Sequence, residues 1–462
     1  MRTVLVGGTV VTGDGTTVLP GATVELQDGV IARIEQTTAA TTEACEPQPD
    51  GGQVLDVAGC VVMPGLVNTH THGVTPGPMF PSGAQPLPDD AWLGHLDRHL
   101  LGGCTTVLNS CGFATMDEVR EADHRHAVHV RGATTHFASA LDAATAVDGG
   151  GLTDLHRSAS VEQMLEDGAV AIGEVGGGQT MGGGGQELHY LPLAFARRTG
   201  KRISSTHARA VKDAALGRHL DSSSYEPDVL HAALVDAGLD GLVTPDDARA
   251  VVLDSVMPSY RRSLVALSDG VELAGLFGVP ALVHSAAPSA AALRELAKRS
   301  AQTARVIAGH SNHPSFTPDE VVDLATELAD AGWLIEACTF DLLDLRRAVP
   351  TRTHWDRLFD DGPDVAVMAT DYGVEGMHDH LIRGVADLVS SGRRTLAQAV
   401  ALVSSGPASA VPGMVPGDGT LREGGPADVA VCRETELPDV RHVFVDGVQV
   451  VSDGRLTVAA RP

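Results

Sequence analysis

The sequence predicts an α/β fold, a (β/α)8 TIM barrel beside a small β-sandwich domain that both chain ends build. In the middle of the chain, short apolar strands alternate with helical stretches, as in the βα units of a parallel sheet. At both ends, short β-branched runs alternate with Gly and Asp turns instead. Residue types that bind metals recur just past the predicted barrel strands, where such barrels hold their active sites.

The two chain ends predict one domain and the middle predicts another. Residues 1–60 and 411–462 are assigned to the β-sandwich domain, and residues 61–410 to the barrel, with a helical insertion at about 180–270. Asp446-Gly447 lies between two β-branched runs and predicts a hairpin turn. The chain of 462 residues is long enough for both units.

Eight short apolar runs supply the predicted barrel strands. Each is followed by a turn and a stretch with helical character, which suits a closed barrel of eight βα units. The predicted strands are Cys60–Pro64, Thr105–Asn109, Ala133–Phe137, Ala169–Gly173, Ala281–His284, Arg305–Ala308, Trp333–Ala337 and Val365–Ala369.

The most informative motif follows the first of these runs. Pro64-Gly65 ends the run, and the chain then places His70 and His72 two residues apart. Residues i and i+2 of a strand share a face, so both imidazoles point the same way. Two neutral imidazoles that converge on one point suit a divalent metal such as zinc.

Four more residues with metal-binding side chains stand at later strand ends. An acidic residue that leaves a buried strand into glycines, as Glu174 does, is costly unless it is ligated or paired. His284, His310 and Asp371 end predicted strands five, six and eight. Together with the two earlier histidines they predict a ligand set of four imidazoles and two carboxylates, which could hold two cations ~3.5–4 Å apart.

At the Pro-Gly-x-x-Asn-x-His-x-His segment the chain resembles the amidohydrolase superfamily of metal-dependent hydrolases. Many members bridge two metals with a carbamylated lysine on strand four, but here Glu174 stands in that place. The Gly-Glu-Val-Gly run resembles the enamidase branch, in which a glutamate bridges. The resemblance implies that His70, His72 and Asp371 bind the first metal and that Glu174 binds both.

The resemblance assigns His284 and His310 to the second metal, and His207 is a rival for His284. His207 also follows a predicted strand, but Thr206 is the predicted N-cap of a helix that begins there. The interval from His284 to His310 leaves room for one helix and one strand, which favours His284. Two divalent ions are expected, zinc first, with iron or manganese as alternatives.

The expected reaction is hydrolysis of a C–N bond in a cyclic amide, imide or related small heterocycle by a metal-bound hydroxide. Asp371 would accept the proton and pass it to the leaving nitrogen. An aminoheterocycle deaminase is the alternative, although a glutamate soon after a strand-end histidine, typical of deaminases, is missing. Lactonase or N-acyl-amino-acid deacylase chemistry, or a metal-free scaffold relative, are the weaker alternatives.

Residues near the predicted barrel mouth are candidates for contact with a small-molecule substrate. They are Asn109, His136, His313 and Tyr372. A net charge of −26 argues against nucleic acid or an anionic membrane surface as partner. Scattered cysteines without a CxxC pair and the absence of a signal peptide lead us to expect a cytoplasmic enzyme. A homo-oligomer stays open, since such barrels commonly associate.

Overall fold

The computed structural model describes residues 2–36, 52–177, 180–181, 186–222, 225–300, 303–339, 352–371 and 380–457. Within them the strands are Arg2–Val11 (β1), Val18–Gln27 (β2), Val30–Gln36 (β3), Gln53–Asp56 (β4), Cys60–Pro64 (β5), Leu66–Thr71 (β6), Cys104–Asn109 (β7), His129–Thr134 (β8), Ala171–Val175 (β9), Ala281–His284 (β10), Val306–Gly309 (β11), Leu334–Cys338 (β12), Val365–Ala369 (β13), Val429–Arg433 (β14), Glu436–Val445 (β15), Val448–Ser452 (β16) and Arg455–Leu456 (β17).

The α-helices of the same residues lie mainly between the barrel strands. They are Asp89–Leu101 (α1), Met116–Arg125 (α2), Ala138–Val147 (α3), Asp154–Ser158 (α4), Val161–Glu166 (α5), Leu191–Thr199 (α6), Ser205–Leu216 (α7), Pro227–Asp236 (α8), Pro245–Phe277 (α9), Ala290–Ser300 (α10), Pro318–Asp330 (α11), Arg352–Asp361 (α12), Leu381–Ser390 (α13), Leu396–Ala401 (α14) and Ser405–Ala410 (α15). No helix in these ranges is both long and apolar enough to cross a membrane.

The barrel is a parallel sheet in which β6 to β13 follow one another in chain order. The first and last strands meet through three hydrogen bonds. The amide of Asp371 donates to the carbonyl of His70 at 3.1 Å. The side chain of Asn68 donates to Thr370 Oγ1 at 2.6 Å and accepts from the Thr370 amide at 3.3 Å. The sheet therefore closes, as the sequence predicts.

The barrel is filled rather than hollow. One buried side chain from each of seven strands joins a single cluster with Ala410, Val411 and Met414; the seven are Val67, Leu108, Ala133, Ala171, Leu282, Ile307 and Val367. A packed interior of this kind leaves the carboxyl ends of the strands as the place for a site.

The second sheet has nine strands and uses both chain ends, as predicted. Its order is β17-β16-β15-β14-β5-β1-β2-β3, and β4 also pairs with β1. Asp446 and Gly447 form the turn between β15 and β16, with φ of 50° and 75°. Both residues of this hairpin turn thus adopt the positive φ that a two-residue turn of this type requires.

One predicted barrel strand is wrong. Cys60–Pro64 pairs with β1 and β14 in the nine-stranded sheet, and β6 is the first barrel strand. The run is apolar throughout because β5 is buried on both faces. Val61 belongs to the large core and Val62 to the sandwich core, so alternate side chains of β5 are buried on opposite faces.

The other barrel strands lie at or near their predicted places. Strands five and eight have the predicted bounds, and four more differ by one or two residues. The third begins and ends earlier than predicted, at His129–Thr134, and the chain leaves the sheet before His136. Polar Thr134 and Thr135 end this strand through hydrogen bonds of the adjoining loop, where the Thr135 amide donates to Gly112 O at 2.8 Å.

Helices α6 to α9 lie between β9 and β10 and pack around a core of their own. The predicted N-cap of α7, Thr206, is wrong. Ser204 takes that position, and its hydroxyl accepts a hydrogen bond from the His207 amide at 3.2 Å. Both residues have N-capping side chains, so the sequence alone does not separate them.

Gly65 joins β5 to β6 where no larger residue fits. A Cβ atom at this position would overlap the side chain of Thr105. We expect Gly65→Ala to lower the free energy of unfolding by about 1–3 kcal/mol because neighbouring groups must shift. Thermal unfolding would measure the loss. Adding Thr105→Ala should recover part of it. Gly94→Ala should not destabilise, because its Cβ would meet only Arg98 Nη1, at an ordinary contact distance of 3.9 Å.

Candidate metal centre

Six predicted metal-binding residues meet at the carboxyl end of the barrel. His70 lies in β6 and His72 just after it. Glu174 lies in β9, and His284 ends β10. His310 follows β11, and Asp371 follows β13. The five residues other than Asp371 are at most 4% exposed. Residues that are distant in the chain therefore form one buried cluster.

Glu174 lies at the centre of this cluster and divides it into two halves. One half contains His284 and His310, and the other contains His70 and His72. Its Oε1 lies 2.8 Å from His284 Nδ1 and 3.2 Å from His310 Nε2. Its Oε2 lies 3.2 Å from His72 Nε2 and 3.7 Å from His70 Nε2. A carboxylate with this placement can bridge two cations.

Asp371 completes the half that contains His70 and His72. Its Oδ1 lies 3.2 Å from His72 Nε2 and 3.5 Å from His70 Nε2. Two ligand atoms that each lie ~2.1 Å from one tetrahedral ion are about 3.4 Å apart. The spacing of this half therefore fits a single cation.

Two buried imidazole nitrogens also indicate that the cluster can bind a cation. Among the described residues, His70 Nε2 and His284 Nε2 have no hydrogen-bond partner. Buried polar atoms in native proteins are nearly always satisfied, so such atoms point to a bound group. Imidazole and carboxylate together form a donor set that suits zinc, iron or manganese.

The charge state of the carboxylates suits ligation. Burial alone would raise the pKa of Glu174, but hydrogen bonds with His284 and His310, together with the nearby rings of His70 and His72, hold that pKa well below its usual range. Burial likewise opposes ionisation of Asp371, and the imidazoles, His70 first, lower its pKa nonetheless. Both carboxyl groups are therefore ionised at neutral pH.

Two of the six residues have a strained backbone. His310 has a φ of 32° and Asp371 a φ of 50°, in a region that residues with a side chain adopt rarely. Such conformations cost of order 1–3 kcal/mol each and cluster at functional sites. The strain therefore indicates a functional role for these two positions.

Sequence reasoning missed Glu336, a fully buried glutamate in β12. Its Oε1 accepts from His70 Nδ1 at 2.8 Å and from the His310 amide at 3.0 Å. Its Oε2 accepts from Thr69 Oγ1 at 3.2 Å. An acidic residue inside the apolar run Leu-Ile-Glu-Ala-Cys was the available signal, the same one that identified Glu174.

Solved structures of similar fold cover nearly the whole chain. The β-aspartyl dipeptidase of Fervidobacterium islandicum AW-1 is similar with a TM-score of 0.56 at 12% identity, over 99% of this chain and 98% of that one. A D-hydantoinase is similar with a TM-score of 0.51 at 16% identity, over 99% of this chain and 97% of that one. An A. niger ochratoxinase is similar with a TM-score of 0.53 at 16% identity, over 98% of this chain and 96% of that one.

These structural neighbours are hydrolases of the amidohydrolase superfamily. Among curated proteins, a 5'-deoxyadenosine deaminase of Methanococcoides burtonii is 40% identical over 76 residues, which are 16% of this chain and 15% of the deaminase. No protein-family model matches the chain. The similarity to the amidohydrolase structures thus extends over the fold, while the sequence match is short.

Of the predicted substrate contacts that the structure describes, His313 lies beside the cluster of six residues. Its ring centroid is 5.3 Å from that of His284 and 5.2 Å from that of His310. Asn109, at the end of β7, donates to Thr75 Oγ1 at 3.4 Å, and its Oδ1 has no partner among the described residues. Tyr372 lies outside the described residues.

His136 lies elsewhere. Its ring packs edge-on against Phe113 at 5.9 Å, and its Nδ1 lies 3.0 Å from Thr134 Oγ1. Within the described ranges, no hydrogen bond or ring contact joins it to the six clustered residues. Burial lowers the pKa of His136 to about 4, so the ring is neutral at pH 7.

His207 also lies apart from the cluster. It is in α7, where its Nδ1 lies 3.0 Å from Ser204 Oγ and its Nε2 lies 3.4 Å from Asp236 Oδ2. The structure brings His284, and not His207, to Glu174.

The two histidines form a matched pair for a test. Because His284 contacts Glu174 and His207 does not, we expect His284→Asn to bind less divalent metal than the unchanged protein, by one equivalent if the carboxylate bridges two cations. His207→Asn should bind as much metal as the unchanged protein. Elemental analysis of protein purified without chelator would measure both. An equal loss in the two variants, or a loss in His207→Asn alone, contradicts this placement.

Proposed function

We propose that the chain is a metal-dependent hydrolase of the amidohydrolase type that binds two divalent cations. One cation would be held by His70, His72 and Asp371, the other by His284 and His310, with Glu174 shared. The observation that carries the proposal is the position of Glu174, whose two oxygens face the two halves of the cluster at 2.8–3.7 Å.

A bridging glutamate distinguishes this centre from one built on a carbamylated lysine. The lysines of the chain are Lys201, Lys212 and Lys298, and none lies in β9. Lys212 is buried against Glu187, so it has a different partner. The proposed branch is therefore the enamidase-like one, with glutamate as the shared ligand.

Cations held here would lower the pKa of a bound water toward neutrality and polarise a substrate carbonyl. The chain supplies the proton acceptor. Asp371 is ionised, and its side chain is 20% exposed, more than the side chains of the histidines beside it. It can take a proton from the attacking water and deliver it to the leaving nitrogen.

The proposed substrate is a cyclic amide, imide or related small heterocycle whose C–N bond is hydrolysed. The fold shared with a D-hydantoinase supports a ring substrate. His313 lies beside His284 and His310, and Asn109 has an unpartnered buried oxygen among the described residues, so both are placed to meet a polar ring. Tyr372 and His136 complete the proposed set of substrate contacts.

Deamination of an aminoheterocycle is the second candidate, and the short match to a 5'-deoxyadenosine deaminase favours it. Against it, His284 is followed by Ser-Ala-Ala-Pro and His310 by Ser-Asn-His-Pro, without a nearby glutamate to shuttle a proton. A shared glutamate also has no clear role in a site with one metal. Lactonase and deacylase reactions would use the same ligands.

Asp371 can be tested with a neutral variant. We expect Asp371→Asn to lower kcat by about 10²–10⁴-fold, the usual contribution of a general acid–base residue. Rates should be divided by the metal content of each preparation, because Asp371 is also a proposed ligand. Asp236→Asn, at a mostly exposed position, is the control and should keep full activity. Unchanged kcat per bound metal in Asp371→Asn would remove Asp371 from the reaction.

The substrate class can be tested with a panel of cyclic amides, imides, lactones and aminoheterocycles. We expect ring opening of an amide or imide, followed as the appearance of a carboxylic acid, and loss of that activity after chelation with recovery on adding Zn²⁺. Release of ammonia with the ring intact would favour the deaminase. Turnover that survives complete removal of metal would contradict both.

A further inference from the structure

We propose that Glu336 is a positioning residue that couples the two cation sites, so that one buried carboxylate fixes a ligand of each. This inference rests on the proposed metal centre and concerns how the centre is held. Glu336 lies in β12 with 0% exposure, and it contacts His70 from one half of the cluster and His310 from the other.

The contact with His70 selects the nitrogen that faces the cluster. Glu336 Oε1 accepts a hydrogen bond from His70 Nδ1 at 2.8 Å, so Nε2 is the nitrogen that points toward Glu174 and Asp371. A carboxylate on the remote nitrogen fixes the tautomer and the ring orientation, and it makes the imidazole a stronger ligand.

The contact with His310 acts on the backbone. The His310 amide donates to the same Oε1 at 3.0 Å, at the residue whose φ is 32°. The ring of His310 is directed separately, because its Nδ1 donates to the Ser285 carbonyl at 3.2 Å and its Nε2 then faces Glu174. Without Glu336 nothing else among the described residues accepts the His310 amide, and the strained conformation would lose that restraint.

A third contact anchors Glu336 itself. Its Oε2 accepts from Thr69 Oγ1 at 3.2 Å, while Oε1 serves both histidines. The same Oε1 also accepts from Cys338 Sγ at 3.4 Å. Because one oxygen receives the donors of both histidines, a displacement of this carboxylate disturbs the two halves together. The two sites should therefore lose affinity together, although Glu336 contacts neither His72 nor His284 in the described residues.

Two substitutions separate charge from position. Glu336→Gln keeps the length and an acceptor oxygen but removes the charge, whereas Glu336→Asp keeps the charge and is one methylene too short to reach both donors. Thr69→Val is the control, since it removes only the contact to Oε2. Titration with Co²⁺ against a chromophoric chelator, followed by the visible absorption of the bound ion, measures affinity at each site without using activity.

His72→Asn and His284→Asn backgrounds each disable one half, so the remaining site can be measured alone. We expect Glu336→Asp to weaken Co²⁺ binding about 10–100-fold in both backgrounds, as loss of an outer partner commonly does. Glu336→Gln should weaken mainly the site that contains His70, where charge matters. Thr69→Val should stay within about threefold of the parent, because both donors keep their acceptor.

The results that would overturn the inference are specific. If Glu336→Asp weakens only the site with His70, the carboxylate serves one cation and the sites are not coupled through it. If it weakens neither site, or lowers the melting temperature of the metal-free protein while Co²⁺ affinity is unchanged, Glu336 is structural. Failure of the unchanged protein to bind Co²⁺ at all would instead contradict the proposed function, so the two failures are distinguishable.

Discussion

The constraint on which the site depends is the burial of Glu174 among imidazoles. A carboxylate that is 2% exposed is stable as an ion only when its neighbours compensate it, and here four histidine nitrogens lie 2.8–3.7 Å away. The same crowding of electron-pair donors is unfavourable unless protons or cations lie between them. The arrangement thus sets the chemistry, because a cation beside Glu174 Oε2 would satisfy the carboxylate and the unpartnered Nε2 of His70 together.

The barrel places these groups with little freedom. The first and last strands meet at Asn68, Thr370 and the backbone of His70 and Asp371, so the closing seam of the sheet lies directly beside one half of the cluster. His310 and Asp371 hold positive φ values at the ends of their strands. Strained backbone at two of the clustered residues is expected where a scaffold must keep the geometry of a site without the metal.

Much of this was accessible from the sequence because local patterns decided it. The apolar runs predicted the barrel, and strand five ended at His284 as its apolar run indicated. The apolar run Cys60–Pro64 misled because it lies directly before the first barrel strand, and only its long-range pairing with β14 shows that it belongs to the other sheet. Glu336 carried a usable signal, but its role depends on contacts with His70 and His310 that no spacing reveals.

The central claim is that Glu174 lies between two cations. Anomalous diffraction from crystals of the Zn²⁺-loaded protein, recorded on either side of the zinc absorption edge, tests it directly. The account predicts two peaks ~3.5–4 Å apart, one on each side of the Glu174 carboxylate. A single peak, or two peaks with Glu174 bound to neither or to one alone, would contradict it.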